Sequence, residues 1–376
     1  MKIIARICSI LLGITFLFSG FAKGIDPLGS KYKFTDYFVA FGWDVLVPAA
    51  FFLGILLAFA EFAIGVALFF SIRIKWISWI SLAFILFFTG LTLHIAQTNP
   101  VTDCGCFGDA LKLTNWQTFY KNIFLLFLTI PIVFQRHLLK PFLKGKHLFL
   151  SLFLPAAIYI ASSIYSCQHL PLFDFRPFKA GINIPKAMVI PPDAPQDKYR
   201  YFFTYRNKKT GKEKIFTDDN YPWQDTLNWE YVSSGEPKLI SKGYEPPIHD
   251  FFIESPEGED VSDYFLTENK LTILFVAYDL KQTSLKHSYK INALANFILE
   301  NNLNFIGLTA SPSIDIIKFT QNTNAPFEFF FCDEITLKTV IRSNPGLVLV
   351  KNGTILAKWH HNDTPTVKKF QEKWMK

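Results

Sequence analysis

Charge is scarce in this chain. Only 18% of its 376 residues are Asp, Glu, Lys or Arg, against roughly a quarter in an ordinary soluble domain. Cysteine is scarce too: Cys8, Cys104, Cys106, Cys167 and Cys332 are too few for a disulfide-built scaffold, and their odd number leaves at least one free. The chain has no Gly-rich phosphate loop, no Gly-x-Ser-x-Gly and no His-Glu-x-x-His, so P-loop, hydrolase-elbow and zincin chemistry are set aside. It also has no basic stripe interleaved with aromatics on a soluble face. The net charge of +7 therefore does not point to nucleic acid.

What is abundant is apolar surface. Half of the residues are hydrophobic and 41 are Phe, which places part of the chain in lipid. Apolar runs near the length of a bilayer crossing occur at 3–21, 45–70, 76–96, 119–134 and 148–166. The first, headed by Lys2 and Arg6, is long for a signal peptide and reads as a retained span. Tyr32, Phe34, Tyr37, Phe38, Phe41 and Trp43 suit an amphipathic segment at the interface. Lys2, Arg6, Arg73, Lys75, Arg136, Lys140, Lys144 and Lys146 fall on one side of five spans. The positive-inside rule then makes the N-terminus cytoplasmic and everything after Cys167 extracytoplasmic.

Between the third and fourth runs lies Asp103-Cys104-Gly105-Cys106-Phe107-Gly108-Asp109. Two thiols one residue apart can meet only because Gly105 tolerates backbone angles that a side chain forbids. The pair reads either as a redox couple on the oxidising side or as a structural staple. Zinc is disfavoured, because one-residue spacing is tighter than the usual two to four. Glu61 interrupts the second span and needs a partner, a proton or a cavity; a proton- or quinone-linked role and a packing role both fit it. His94, near the end of the third run, is a candidate proton acceptor or a helix-end residue. Cys167 closes the fifth run at the depth of the loop and is a candidate third thiol, an interfacial thiol or a lipid-modified one. Cys8, inside the first run, reads as inert.

The Ser-Gly-x-x-Lys that ends the first span, the Glu in the second and the Asp-Cys-Gly-Cys-Phe-Gly-Asp loop together resemble the DoxX-like and MauE-like membrane proteins over about residues 1–140. MauE-like proteins are linked to maturation of a disulfide-containing periplasmic enzyme subunit. The resemblance therefore implies disulfide handling or protein assembly outside the inner membrane.

After the fifth span a Pro-rich connector, 169–245, contains a hairpin around Asn207-Lys208-Lys209-Thr210-Gly211 and reads as a small β-rich element. From 246 onward strand and helix alternate: strands at 248–253, 271–277, 305–309 and 327–331, helices at 285–300 and 314–320, a short helix after Thr336, and a final hairpin at Asn352-Gly353. This resembles a thioredoxin-like domain of the peroxiredoxin or TlpA-like kind, with Asn344-Pro345 where that fold has a cis-proline. The loop at 278–285 lacks the family's reactive cysteines, and Cys332 reads as a small buried residue. The Asn344-Pro345 edge is a candidate for holding an extended polypeptide by backbone hydrogen bonds.

The expected organisation is an α-helical membrane bundle with a four-helix DoxX/MauE-like core (1–140), a fifth span (141–168), the connector (169–245) and an extracytoplasmic α/β thioredoxin-like domain (246–376). The expected function is thiol-disulfide or electron transfer through Cys104 and Cys106. Membrane lipid and a client or thiol-redox partner are implied, and electrons leave through a quinone or another thiol protein. The alternative is a non-enzymatic assembly scaffold with a structural disulfide.

Overall fold

A computed structural model describes residues 2–143, 145–241 and 243–375. It divides into two compact units, Met1–Ile182 with Phe251–Lys376, and Asn183–Asp250. Lys144, used above to set orientation, lies outside the described residues, as does the side chain of Lys146.

The larger unit begins with α1 (Lys2–Gly24), α2 (Pro27–Ala40), a 3-10 turn at Asp44–Ala49 that runs into α3 (Ala50–Phe70), α4 (Ile74–Thr98), α5 (Asn115–Gln135) and α6 (Lys146–Gln168). Among the described residues, α1, the Asp44–Phe70 run, α4 and α5 are long and apolar enough to cross a membrane. This is a multi-pass membrane protein. The fifth apolar run does form a helix, α6, whose Tyr159 stacks on Phe62 of α3.

Small residues let α1 and α3 touch backbone to backbone. A Cβ added at Gly20 would lie 2.5 Å from the Phe62 nitrogen, and one at Gly65 would lie 2.5 Å from the Leu17 nitrogen. At the end of this pair remote from the cysteine loop, Arg6 donates to Ser71 Oγ and to the Lys140 carbonyl. Gly20→Ala or Gly65→Ala is expected to cost about 1–3 kcal/mol by forcing the helices apart. Gly90→Ala, which meets nothing within 4 Å, should leave the detergent melting temperature unchanged. Equal shifts at all three positions would contradict this packing.

The α/β part of the same unit holds α8 (Ser262–Thr267), α9 (Ser288–Glu300), α10 (Ser313–Thr323), α11 (Glu334–Val340) and α12 (Val367–Trp374). Its sheet comprises β6 (Leu271–Val276), β7 (Asn304–Thr309), β8 (Phe329–Phe331), β9 (Gly346–Lys351) and β10 (Thr354–His360), in the order β10-β9-β6-β7-β8. β6, β7 and β8 run parallel, linked through α9 and α10, as parallel neighbours require. β9 and β10 are antiparallel and joined at Asn352-Gly353, both at positive φ, the pair favoured in a two-residue hairpin turn. Phe275, Ile291, Leu294, Phe305, Leu349 and Phe370 centre the core.

The strand expected at 248–253 is absent. Phe251 and Ile253 are buried through their side chains, but this stretch joins no ladder; Glu254 alone bridges, to Phe331 and Asp260. Alternating burial followed here from side-chain anchoring along an extended coil.

The C-terminal end of α6 is tied to the α/β part. His169 Nδ1 lies 2.7 Å from Asp363 Oδ1, and Asn362 Nδ2 donates to the Gln168 carbonyl at 2.7 Å. The His169, His360 and His361 rings follow one another at 6.4 and 4.1 Å, and His287 lies 6.3 Å from His361. Burial, then the neighbouring imidazoles, lower the His360 pKa to about 3. The folded state holds this ring neutral while the unfolded chain takes up a proton below about pH 6.5. Stability should therefore be full above pH 6.5 and fall progressively toward pH 3. Denaturant midpoints at pH 7 and pH 5 should differ, and His360→Asn should shrink the difference.

In the second unit α7 (Ile184–Met188) precedes β1 (Lys198–Arg200), β2 (Phe202–Asn207), β3 (Glu213–Thr217), β4 (Trp229–Ser234) and β5 (Lys238–Ser241). The hairpin at 207–211 is present as β2-β3, extended by β4, and β1 pairs with β5. Tyr205, Phe216 and Trp229 pack edge to face to form its small apolar centre.

Candidate thiol site

The Cys104 and Cys106 sulfurs lie 3.1 Å apart, within sulfur hydrogen-bond reach. Gly105 between them has φ +62°, a left-handed angle that lets the two side chains turn to the same side. Asp103 Oδ1 accepts from the Gly105 nitrogen at 2.8 Å and closes the turn. Helix α2 supports the loop from one side. Lys33 Nζ lies 2.9 Å from Asp103 Oδ2, and Tyr37 Oη donates to the Cys104 carbonyl at 2.8 Å. These residues are four apart and so share a helix face.

The two thiols are electrically unlike. The hydrogen bond with Cys104 lowers the Cys106 pKa; burial opposes it, while the Lys121 and Lys23 ammoniums add to the lowering. Cys104 is pushed up by the same hydrogen bond, then by burial and by Cys106 itself. Either sulfur can donate the shared hydrogen, and the Lys121 and Lys23 ammoniums favour the thiolate at Cys106. Lys121 also sits 4.7 Å from the centre of the Phe107 ring, anchored beside the loop by a cation-π contact.

Beneath the loop Glu61 has a partner. Lys23 Nζ lies 2.7 Å from both carboxylate oxygens. Ser19 Oγ lies 2.8 Å from Glu61 Oε2 and 2.6 Å from the Cys106 carbonyl. Ser19 and Lys23, four residues apart on α1, present one face to α3, and Gly20 brings the helices close enough for these contacts.

Arg342 locks the other end of the loop. Buried at 5% exposure, it spans both Asp26 oxygens at 3.1 and 2.9 Å, reaches Asp109 Oδ2 at 2.9 Å and donates to the Lys338 carbonyl. Burial alone would lower its pKa, but Asp26 and Asp109 outweigh it and raise it. Asp26 also caps α2 by accepting from the Gly29 nitrogen, so a single carboxylate fixes a helix start and an interdomain ion pair. Beside it Tyr32 Oη donates to Tyr278 Oη at 3.1 Å, and Lys338 lies 5.0 Å from the centre of the Tyr32 ring.

The cysteine loop thus meets the segment of the α/β part that carries Arg342, Ser343, Asn344 and Pro345. The Asn344-Pro345 peptide is cis. The Asn344 amide donates to the Asp279 carbonyl at 2.8 Å, and its own carbonyl accepts from Ser284 at 3.0 Å, so Asn344 is engaged within the domain. Cys167 is exposed at the end of α6. His94 is exposed, with its ring 6.0 Å from that of Phe41. Cys332 is buried at the end of β8, where burial pushes its thiol up to about 12. Cys8 lies within the apolar cluster of the bundle. Among the described residues no group of three or more His, Cys, Asp or Glu is arranged to hold a metal ion.

The sequence reading gave no part in the site to Lys33, Tyr37, Lys121, Asp26 or Arg342, and took Tyr37 only as an interfacial aromatic. Only the i,i+4 spacing of Lys33 with Tyr37 could have drawn attention to any of them.

No curated protein matches the chain. Residues 199–242 match a family described as a domain of unknown function (DUF8463). Residues 1–135, which carry the four apolar helices, Lys23, Glu61 and the cysteine loop, match the family of the methylamine utilisation protein MauE, so the N-terminal membrane part of this chain is similar to that family.

Proposed function

We propose that this protein exchanges thiols and disulfides at Cys104 and Cys106 on the extracytoplasmic face of a bacterial inner membrane, and so assists maturation of exported proteins. The observation that carries the reading is the pair of sulfurs 3.1 Å apart, of which the Lys121 and Lys23 ammoniums favour the thiolate at Cys106. That is the arrangement of an attacking and a resolving thiol. The Cys106 thiolate attacks a substrate disulfide sulfur, forming a mixed disulfide and expelling one substrate thiolate. Cys104 then attacks the Cys106 sulfur, expels the second substrate thiol and leaves the loop oxidised. The reverse sequence oxidises a substrate dithiol. After disulfide reduction a reduced thiol partner resets the loop, and after dithiol oxidation an oxidised thiol partner or a quinone takes up the two electrons.

The similarity of residues 1–135 to MauE supports a maturation role, since that family is described by methylamine utilisation. The α/β part, whose sheet order and cis-proline suit a thioredoxin-like domain although its 278–285 loop lacks that family's reactive cysteines, serves to hold the loop and offer a docking surface to clients. Positive charges at Lys2, Arg6, Arg73 and Lys75 support a cytoplasmic N-terminus.

Alkylation trapping in cells tests the reading. The Cys104/Cys106 pair should shift between thiol and disulfide as reductant is varied. A pair that stays oxidised throughout, with an unaltered phenotype in the Cys104→Ser/Cys106→Ser double variant, would leave the scaffold reading in its place.

A further inference from the structure

Four imidazoles gather where the last turn of α6 rests on the α/β part, and the hydrogen bonds fix where three of them carry hydrogen. His169 Nδ1 faces both oxygens of Asp363, at 2.7 and 2.9 Å, and a carboxylate only accepts, so that nitrogen is the donor. His360 Nδ1 accepts from the Asn362 nitrogen at 3.2 Å, which puts the hydrogen of the neutral ring on Nε2. His361 Nδ1 lies 3.0 Å from Ser343 Oγ. The Ser343 hydroxyl has one hydrogen and gives it to the Pro345 carbonyl, so His361 Nδ1 donates to Ser343. Asn362 closes the junction by donating to the Gln168 carbonyl at the end of α6.

We propose that this junction is an acid-released latch: neutral imidazoles hold the end of α6 on the α/β part, and protonation of His360 and His361 frees it while the corner built on Arg342 stays closed. The latch goes beyond thiol exchange and does not depend on it. The groups that face the rings come from every element packed there. Tyr165 on α6 stacks on His169 at 4.5 Å, Asn362 and Asp363 lie in the turn after β10, Lys286 and His287 stand at the start of α9, and Ser343 and the Pro345 carbonyl precede β9. Of these groups Asp363 is the acid, and both of its oxygens face His169. A second proton on His360 or His361 therefore enters a cluster whose carboxylate is already engaged. Arg342 and its partners Asp26 and Asp109 include no imidazole, so acid leaves that corner its ion pairs.

The sign follows from the burial of the two rings. Burial and the neighbouring imidazoles lower His360, and burial lowers His361 with His287 and Lys286 adding to it, against the Pro345 carbonyl and Asp363. Once the junction opens, both rings return toward the ordinary imidazole value of about 6.5. Opening therefore takes up protons, and it grows easier as pH falls below that value. With His360 at about 3 in the closed state, the opening equilibrium should rise about 20-fold from pH 7 to pH 5.

Hydrogen exchange of the full-length protein in lipid nanodiscs, compared at pH 7 and pH 5 after correction for intrinsic exchange, tests the latch. Peptides over 165–170 and 360–364 should lose protection about 20-fold, whereas those over β6 and α2 should keep theirs. His360→Asn keeps an acceptor for the Asn362 nitrogen but cannot take up a proton, and it should cut the loss at least about threefold. His361→Asn, whose amide nitrogen can donate to Ser343 in place of Nδ1, is the second variant should the first fail to fold, and it should also cut the loss. Three results would overturn the latch: junction protection that is the same at both pH values, an equal loss in β6 and α2, which means global unfolding, or a loss undiminished in the variants. None of them bears on Cys104 and Cys106, so thiol exchange stands or falls separately.

Discussion

Cys104→Ser should trap a mixed disulfide between Cys106 and its substrate, and Cys106→Ser should trap at least about 100-fold less. The asymmetry follows from the hydrogen bond between the sulfurs. That contact and the Lys121 and Lys23 ammoniums lower the Cys106 pKa, and the thiolate is the attacking form. Cys104 supplies the second step, so its loss stops resolution without removing attack. The choice of substitution matters. A serine at 104 still offers a hydrogen to the thiolate, whereas Cys104→Ala removes it and should make Cys106 less reactive at neutral pH. Non-reducing gels of the membrane fraction after acid quench would show the adducts. Equal trapping by the two single variants would contradict the assignment of roles.

Arg342→Met carries the second large effect. The guanidinium is buried and neutralises Asp26 and Asp109 together, so its removal leaves two carboxylates near each other with no cation. Breaking a buried ion pair by removing one partner costs about 3–5 kcal/mol. Arg342→Lys should recover little, because a single ammonium cannot span both Asp26 oxygens and reach Asp109 as well. A triple variant with Asp26→Asn and Asp109→Asn added to Arg342→Met should regain part of the loss, since no charge is then stranded. Chemical denaturation of the full-length protein in detergent measures all three. Arg342→Met at wild-type stability would mean that the ion pairs are not formed in solution.

The consequences of this clamp reach the loop. Asp109 is the last residue of the Asp103–Asp109 segment and Asp26 caps α2, whose Lys33 and Tyr37 hold Asp103 and Cys104. One arginine from the segment before β9 therefore braces both supports of the thiol pair.

These couplings also mark the limit of the sequence. The apolar runs announce α1, α3, α4, α5 and α6 because a bilayer demands length and hydropathy together. The Asn352-Gly353 turn was equally plain, since positive φ at two successive positions selects those residues. Cys104 and Cys106 stood out because one-residue spacing is rare. Glu61 was conspicuous as a charge among Phe and Ala, but its partner Lys23, the lysine of the Ser-Gly-x-x-Lys that ends the first span, lies 38 residues away and nothing in the sequence pairs the two. Arg342 and Asp26 are 316 positions apart, and no periodicity links them. The extended coil at 248–253 was misread as a strand because side-chain burial alternates there while the backbone joins no ladder.

The central claim is that Cys104 and Cys106 are a working redox pair, and an equilibrium titration meets it directly. The full-length protein in nanodiscs is equilibrated in glutathione buffers of graded ratio, acid-quenched, alkylated and resolved by peptide mass. The account predicts a single transition in which Cys104 and Cys106 lose two thiols together, with Cys106 reacting first on the reduced side and Cys8 and Cys332 silent. A Cys104/Cys106 pair that holds one state across the whole series would contradict it.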